Sequence, residues 1–191
     1  MIYEALNKNI NKAAQLLLNG EIIVYPTDTL YGFGVDATNE KAINNLNELK
    51  QRIQPLSIIV STFKMLHDFC IVDKKNIDLN KYLPGAYTLL FNKKNKLPSI
   101  LTVNSEKIGI RMPKSKFAIN LVNAINKPIV TTSVNVHNEN SLNDINKIKN
   151  RFPGLNIFSG KVNNKSKGST IIDLTESPYR VLRQGDGIWK H

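Results

Sequence analysis

VYPTDTLYGFG, residues 24–34, decides the reading of the fold, because an apolar run ends there in a turn rich in hydroxyls and glycine. The segment 20–26, GEIIVYP, has the unbroken apolar character of a buried strand. Thr27 and Thr29 follow it, and an open α/β sheet binds its ligands where strands end. A hydroxyl pair of this kind can hold a small polar amino acid. Gly32 and Gly34 permit close backbone approach or a positive φ. The competing reading is a plain strand-to-turn connection in which the threonines satisfy backbone groups.

On either side of this stretch, strand and helix signals alternate. Residues 39–50 read as a helix with Asn39 as N-cap and Ala42, Ile43, Leu46 and Leu49 on one face. A strand at 57–60, a short helix at 64–70, a turn at LPGAY and strands at 88–91 and 107–112 follow. Ala118, Leu121, Val122 and Ile125 recur at i, i+3, i+4 and i+7, which predicts an amphipathic helix ahead of the strand PIVTTSV. Ser141 offers a capping box with Asp144 before Leu142, Ile145 and Ile148, and strands are expected at 170–174 and 180–182. No internal repeat or long linker interrupts the pattern. The expectation is one α/β domain over residues 1–191 with a sheet of mixed strand direction.

The chain of 191 residues, 41% of them hydrophobic, suffices for one full core. Its first twenty residues carry Glu4, Lys8 and Lys12 with no apolar leader, and its densest apolar run, LSIIV at 56–60, is far short of a bilayer span. A cytoplasmic protein without a membrane role is expected. Cys70, the single cysteine, excludes an intrachain disulfide and a cysteine-based zinc site. Its apolar surroundings, HDFCIV, read as a buried small hydrophobe. Twenty-six basic against fifteen acidic residues give a net charge of +11, which suggests a polyanionic partner. Many lysines sit in Asn-rich loop sequence, as a solvated surface would have them, and aromatics are not interleaved with the basic runs as a single-strand stacking platform requires.

The polar residues at element ends form a cationic and hydroxylic set: Thr27, Thr29, Lys50, Arg52, Lys107, Arg111, Ser133, Asn135, Ser169, Thr170 and Arg183. His67, His137 and His191 have no spacing that suggests a triad or a metal ligand pair. The GFG at 32–34 lacks the Gly-Lys-Ser/Thr of a P-loop. Such a set suits a phosphate-rich ligand and catalysis by position and charge. Several of these residues, and Ser141, also have a plainer reading. Lys50 and Arg52 are favourable charges at a helix C-terminus, Arg111 a surface ion pair, Ser141 an N-cap, and Ser133 with Asn135 a turn.

In chain order, PTDTLYGFG, KQR at 50–52, PLS at 55–57, LPGAYTLL at 83–90, IGIRMP at 108–113, SVN at 133–135, GSTIID at 168–173 and VLRQG at 181–185 resemble the YrdC-type threonylcarbamoyl-AMP synthases. The resemblance spans nearly the whole chain, and the end soon after VLRQG resembles the short, single-domain form. It implies a YrdC-like twisted mixed sheet flanked by helices around a large positively charged cavity. It also implies a nucleotidyltransferase that joins L-threonine, bicarbonate and ATP into threonylcarbamoyl-AMP and pyrophosphate. The product would pass to the tRNA threonylcarbamoyl transferase machinery for N6-threonylcarbamoyladenosine at tRNA position 37, and weak tRNA binding is compatible.

Carried over motif by motif, the resemblance places threonine at Thr29, Arg111, the Thr131 backbone and Ser169. It places ATP at Lys50, Arg52, Gln54, Lys107, Ser133, Asn135, Ser141 and Arg183, with Lys50 and Arg52 also catalytic. Mg²⁺ would arrive with ATP; Asp28, Asp36 and Asp173 lie near the motifs without an assigned metal role. The chain departs from the family pattern in a shortened segment between Arg52 and Pro55, in Ile59 where some members carry a threonine-binding His, and in SVN for SAN. Two other classes compete: a non-catalytic RNA-binding module of the same fold, and a carbamoyl-adenylate enzyme like the related module of hydrogenase maturation carbamoyltransferases.

Overall fold

The computed structural model describes residues 1–72 and 77–190; His191 lies outside them. Among these residues the strands are β1 (Ile2–Glu4), β2 (Ile23–Pro26), β3 (Tyr31–Gly34), β4 (Ser57–Ile59), β5 (Cys70–Ile71), β6 (Tyr87–Lys93), β7 (Lys107–Arg111), β8 (Ile129–Ser133), β9 (Asn156–Ser159), β10 (Thr170–Asp173) and β11 (Arg180–Arg183). The helices are α1 (Ile10–Leu18), α2 (Glu40–Lys50), α3 (Phe63–Phe69), α4 (Lys116–Ile125) and α5 (Ile145–Arg151). The sheet runs β1-β9-β2-β3-β8-β4-β7-β6-β10-β11, with β5 paired to β6. Parallel pairs (β1·β9, β2·β9, β4·β7, β6·β10) mix with antiparallel ones, so the sheet is mixed as the sequence predicts.

The apolar run in β2 is explained by cover on both faces of the sheet. Ile23 and Tyr25 pack under α1 and α4, through Ala13 and Leu17 of one and Leu121 and Val122 of the other. Val24 points the other way, into the larger cluster that holds Ile43 and Leu46 of α2 and Ile148 of α5. A strand buried on both sides has no polar alternation to show.

Asn39 caps α2 as expected, its side chain accepting from the Ala42 N–H, and Thr62 and Ser115 cap α3 and α4 in the same way. The capping box at Ser141 does not form. Leu142 N–H is bonded to Val134 O, which keeps the chain extended there, and Asp144 caps α5 by accepting from Lys147 N–H at 2.9 Å. Cys70 is buried and burial pushes its thiol up to about 12, consistent with an inert core residue.

The opening stretch is a hairpin rather than a strand and a loop. β2 and β3 pair antiparallel with Val24 opposite Phe33, so Gly32 and Gly34 are strand residues; neither has the positive φ that the sequence admits. Their bareness serves packing. A β-carbon on Gly34 would lie 2.6 Å from the Tyr25 ring, and one on Gly32 would lie 3.3 Å from Thr131 Oγ1. No helix among the described residues is long and apolar enough to cross a membrane.

Candidate functional site

The β2–β3 turn, the C-terminal end of β7, the middle of β8 and the start of β10 open onto one cavity of about 250 Å³. Its lining carries the cations Arg52, Arg111, Lys167 and Arg183 and, among the described residues, no carboxylate. Hydroxyls fill the space between them: Thr27 and Thr29, Ser57, Thr88, Thr131 to Ser133, Ser141 and Ser169. A cationic cavity without acidic side chains favours a ligand with several negative charges. A second, larger groove of about 1300 Å³ lies beneath the C-terminal segment, among Tyr82, Tyr87, Tyr179 and Trp189.

The threonines of the turn divide the two readings between them. Thr27 Oγ1 donates to Leu30 O at 2.7 Å and accepts from Thr29 N–H at 3.2 Å, so it closes the turn. Thr29 Oγ1 faces Arg111, accepting from Nη2 at 3.3 Å. Arg111 is itself buried, and its Nη2 donates to Asp28 Oδ1 at 2.9 Å. Asp28 is held in turn by the Lys114 N–H at 3.1 Å. The plain alternative for Arg111, a surface ion pair, does not hold.

Ser169 follows Gly168, whose φ of +82° is in the left-handed region, and its hydroxyl lies 2.7 Å from Thr88 Oγ1. Arg183 reaches across from β11, donating through Nε and Nη2 to Ser169 O at 3.2 and 2.7 Å. Arg52 stands just past α2, its Nη1 on Gln54 Oε1 at 2.7 Å and its Nη2 3.4 Å from Thr132 Oγ1. Burial pushes both Arg52 and Arg183 down from the ordinary guanidinium value, with Arg111 adding to the effect on Arg183; both remain charged. The Nε atoms of Arg52 and Arg111 are buried with no protein partner. Both Nε atoms are shut off from solvent, so these arginines meet the cavity through their Nη edges, which suit a carboxylate or phosphate oxygen.

Eight of the expected site residues therefore meet in one place: Thr29, Arg52, Arg111, Thr131, Ser133, Ser141, Ser169 and Arg183. Four do not line it. Gln54 is exposed and serves as a hydrogen-bond acceptor for Arg52. Lys107 begins β7 while Arg111 ends it, roughly 13 Å away at about 3.3 Å per residue. Its ammonium is paired to Asp173 at 2.9 Å and Glu176 at 3.1 Å, and the hydrogen bonds it donates to both carboxylates raise its pKa. Lys50 and Asn135 lie behind the cavity wall and bond to each other. Ile59 is fully buried in the core beside Phe117 and Phe158.

The polar lining residues Thr88, Ser57, Thr132 and Lys167 escaped the sequence reading. Thr88 and Ser57 sit inside strands, where nothing marks a hydroxyl as site-facing, and Lys167 is one of many loop lysines. No group of three or more His, Cys, Asp or Glu among the described residues is placed to hold a metal. Asp28, Asp36 and Asp173 are engaged with Arg111, Lys127 and Lys107.

The family model named Sua5_yciO_yrdC, described as "Telomere recombination", matches residues 15–185. The chain belongs to the Sua5/YciO/YrdC family. A threonylcarbamoyl-AMP synthase of Pyrococcus abyssi is 30% identical over 182 residues, covering 92% of this chain and 54% of the relative. The chain thus spans about half the length of that relative. A putative threonylcarbamoyl-AMP synthase of Methanocaldococcus jannaschii is 34% identical over 196 residues, covering 96% of this chain and 91% of the relative. Among solved structures, P. abyssi Sua5 complexed with L-threonine matches with a TM-score of 0.90 at 28% identity, over 97% of this chain and 57% of that one. Family membership accounts for the mixed sheet and for the motifs that converge on its cavity.

Proposed function

We propose that this chain is an L-threonylcarbamoyladenylate synthase, a nucleotidyltransferase acting on L-threonine, bicarbonate and ATP. The observation that carries the reading is the cavity whose described lining holds Arg52, Arg111, Lys167 and Arg183 and no carboxylate. Relatives with the synthase name and a threonine complex of the same fold support it.

In this reading Arg111 receives the threonine carboxylate, with Thr29, Ser169 and the Thr131 backbone around the amino acid. Arg52, Arg183 and the exposed Lys167 receive phosphate oxygens, and Ser133 and Ser141 stand at the nucleotide end. The threonine amine is the nucleophile towards bicarbonate-derived carbon dioxide. The resulting carbamate oxygen attacks the α-phosphorus, and the bond to the β-phosphate oxygen breaks to release pyrophosphate. No side chain forms a covalent bond. The protein aligns three reactants, excludes water from a labile carbamate, and offsets phosphate charge. Mg²⁺ enters as part of Mg-ATP, since the cavity lining offers no carboxylate to a cation. The adenylate then passes to a tRNA threonylcarbamoyl transferase in the cytoplasm.

The test is isotopic. With ¹³C-bicarbonate, L-threonine and ATP, mass spectrometry should find an adenylate that carries one heavy carbon. An unlabelled adenylate, or none, contradicts the assignment.

A further inference from the structure

Lys50 ends α2 with a fully buried side chain, its ammonium 5.3 Å from the centre of the Phe33 ring. The ammonium donates to Ser133 O at 2.7 Å, Asn135 O at 2.8 Å and Asn135 Oδ1 at 3.1 Å. A lysine ammonium has three protons, and here each has an oxygen. Asn135 is equally occupied. Its Oδ1 accepts from Lys50 and from Ser133 Oγ at 2.6 Å, and its Nδ2 donates to Val136 O at 3.0 Å and Glu139 O at 2.9 Å. Two lone pairs and two protons are the whole capacity of a carboxamide. The Lys50 backbone joins the same arrangement by accepting from His137 N–H at 3.0 Å.

We infer that Lys50 and Asn135 form a closed internal clasp that positions Ser133 and Ser141, and that neither touches the nucleotide. Drawing the ammonium out to a phosphate would take the donor from two half-buried carbonyl oxygens, Ser133 O and Asn135 O, and leave Asn135 Oδ1 with Ser133 alone, and a polar group left unpaired away from water is costly. The cavity-facing residues that the clasp holds are Ser133 at one end of the tied segment and Ser141 just beyond it. The clasp also fixes the chemistry of Ser133. With its proton committed to Asn135 Oδ1, the Ser133 hydroxyl offers only lone pairs to the cavity. It is therefore an acceptor for a donor on the nucleoside, not a donor to a phosphate. Lys50 and Asn135 are positioning residues.

This inference rests on the synthase reading for the identity of the ligand as an adenine nucleotide. Binding of AMP, ADP and a non-hydrolysable ATP analogue by calorimetry separates positioning from phosphate contact. Lys50→Met should weaken all three by one common factor, on the order of tenfold. Should Lys50→Met fail to fold, Asn135→Ala removes the other half of the clasp and should show the same phosphate-independent loss. Arg52→Ala is the contrast, losing progressively more from AMP to the ATP analogue. In the wild type, held on the acid side of the Lys50 transition near pH 7, the Lys50 ammonium should give an exchange-protected ¹⁵N signal before any ligand is added, unmoved by the triphosphate. A loss in Lys50→Met that grows with phosphate number, or a Lys50 signal that shifts with the ATP analogue and not with AMP, would overturn the inference. Nucleotide binding that follows the predicted pattern without adenylate formation would defeat the synthase reading and leave the clasp standing.

Discussion

Arg111 Nη2 lies 2.9 Å from Asp28 Oδ1, and both side chains are largely withdrawn from solvent, at 9% and 12% exposure. Breaking such a buried pair by truncating one side is expensive, about 3 to 5 kcal/mol, because the other charge stays buried. The pair also fixes which part of the guanidinium meets a ligand, since Asp28 and Thr29 take Nη2 and Nε is shut off from solvent, which leaves Nη1.

Arg111→Lys keeps the charge towards Asp28 and loses the planar fork. It should raise the threonine requirement far more than the ATP requirement. Steady-state titration of each substrate with the other saturating decides this. Equal effects on both substrates would place Arg111 outside the amino acid subsite.

Arg52→Ala and Arg183→Ala should each lose roughly 2 to 4 kcal/mol of transition-state stabilisation, the scale for removal of one electrostatic donor. Both side chains reach the cavity from element ends, so circular dichroism should show an intact fold. Pyrophosphate release within about threefold of wild type, under 1 kcal/mol, would remove them from the reaction.

Lys50 supplies a pH signature. Burial first, and then Arg52, push it down to about 7 from an ordinary 10.5. Below 7 it is protonated in both folded and unfolded chains, and the cost of burying the charge is fully present. Between 7 and 10.5 the unfolded chain binds more protons, so stability rises with pH. Urea unfolding of wild type and Lys50→Met across pH 6 to 10 should show wild type gaining on the variant towards the alkaline side. Parallel curves, or wild type falling behind, would mean that Lys50 keeps an ordinary value.

Gly34→Ala tests the hairpin. The added carbon meets the Tyr25 ring at 2.6 Å and Ile129 Cγ2 at 3.2 Å, both in the core. Overpacking of this kind costs about 1 to 3 kcal/mol. Denaturant midpoints measure it directly, and a neutral result would mean that β2 and β3 do not pack as closely as this.

The parts of the fold that could be read from sequence are those with both a period and a stop signal. Asn39 and Ser115 cap α2 and α4, and each helix shows one apolar stripe. α1 has the same spacing at Ile10, Ala13, Ala14 and Leu17 but no side-chain cap bond, so nothing marks its start. β3 hides behind its two glycines and β9 is a four-residue strand. In the site, arginines at element ends were legible because their chemistry is specific to anions. Thr88 and Ser57 were not, because a hydroxyl in a strand faces the cavity or the core according to register alone. The full occupancy of Lys50 and Asn135 depends on partners more than eighty residues away in sequence for the lysine, and no local motif records it.

The central claim is that this cavity condenses three substrates, and pyrophosphate release tests it most directly. Purified protein with Mg-ATP should release pyrophosphate only when L-threonine and bicarbonate are both present, with no tRNA added. Degassed, carbonate-free buffer should abolish the signal, and added bicarbonate should restore it. Release that persists without threonine or without bicarbonate would contradict the account.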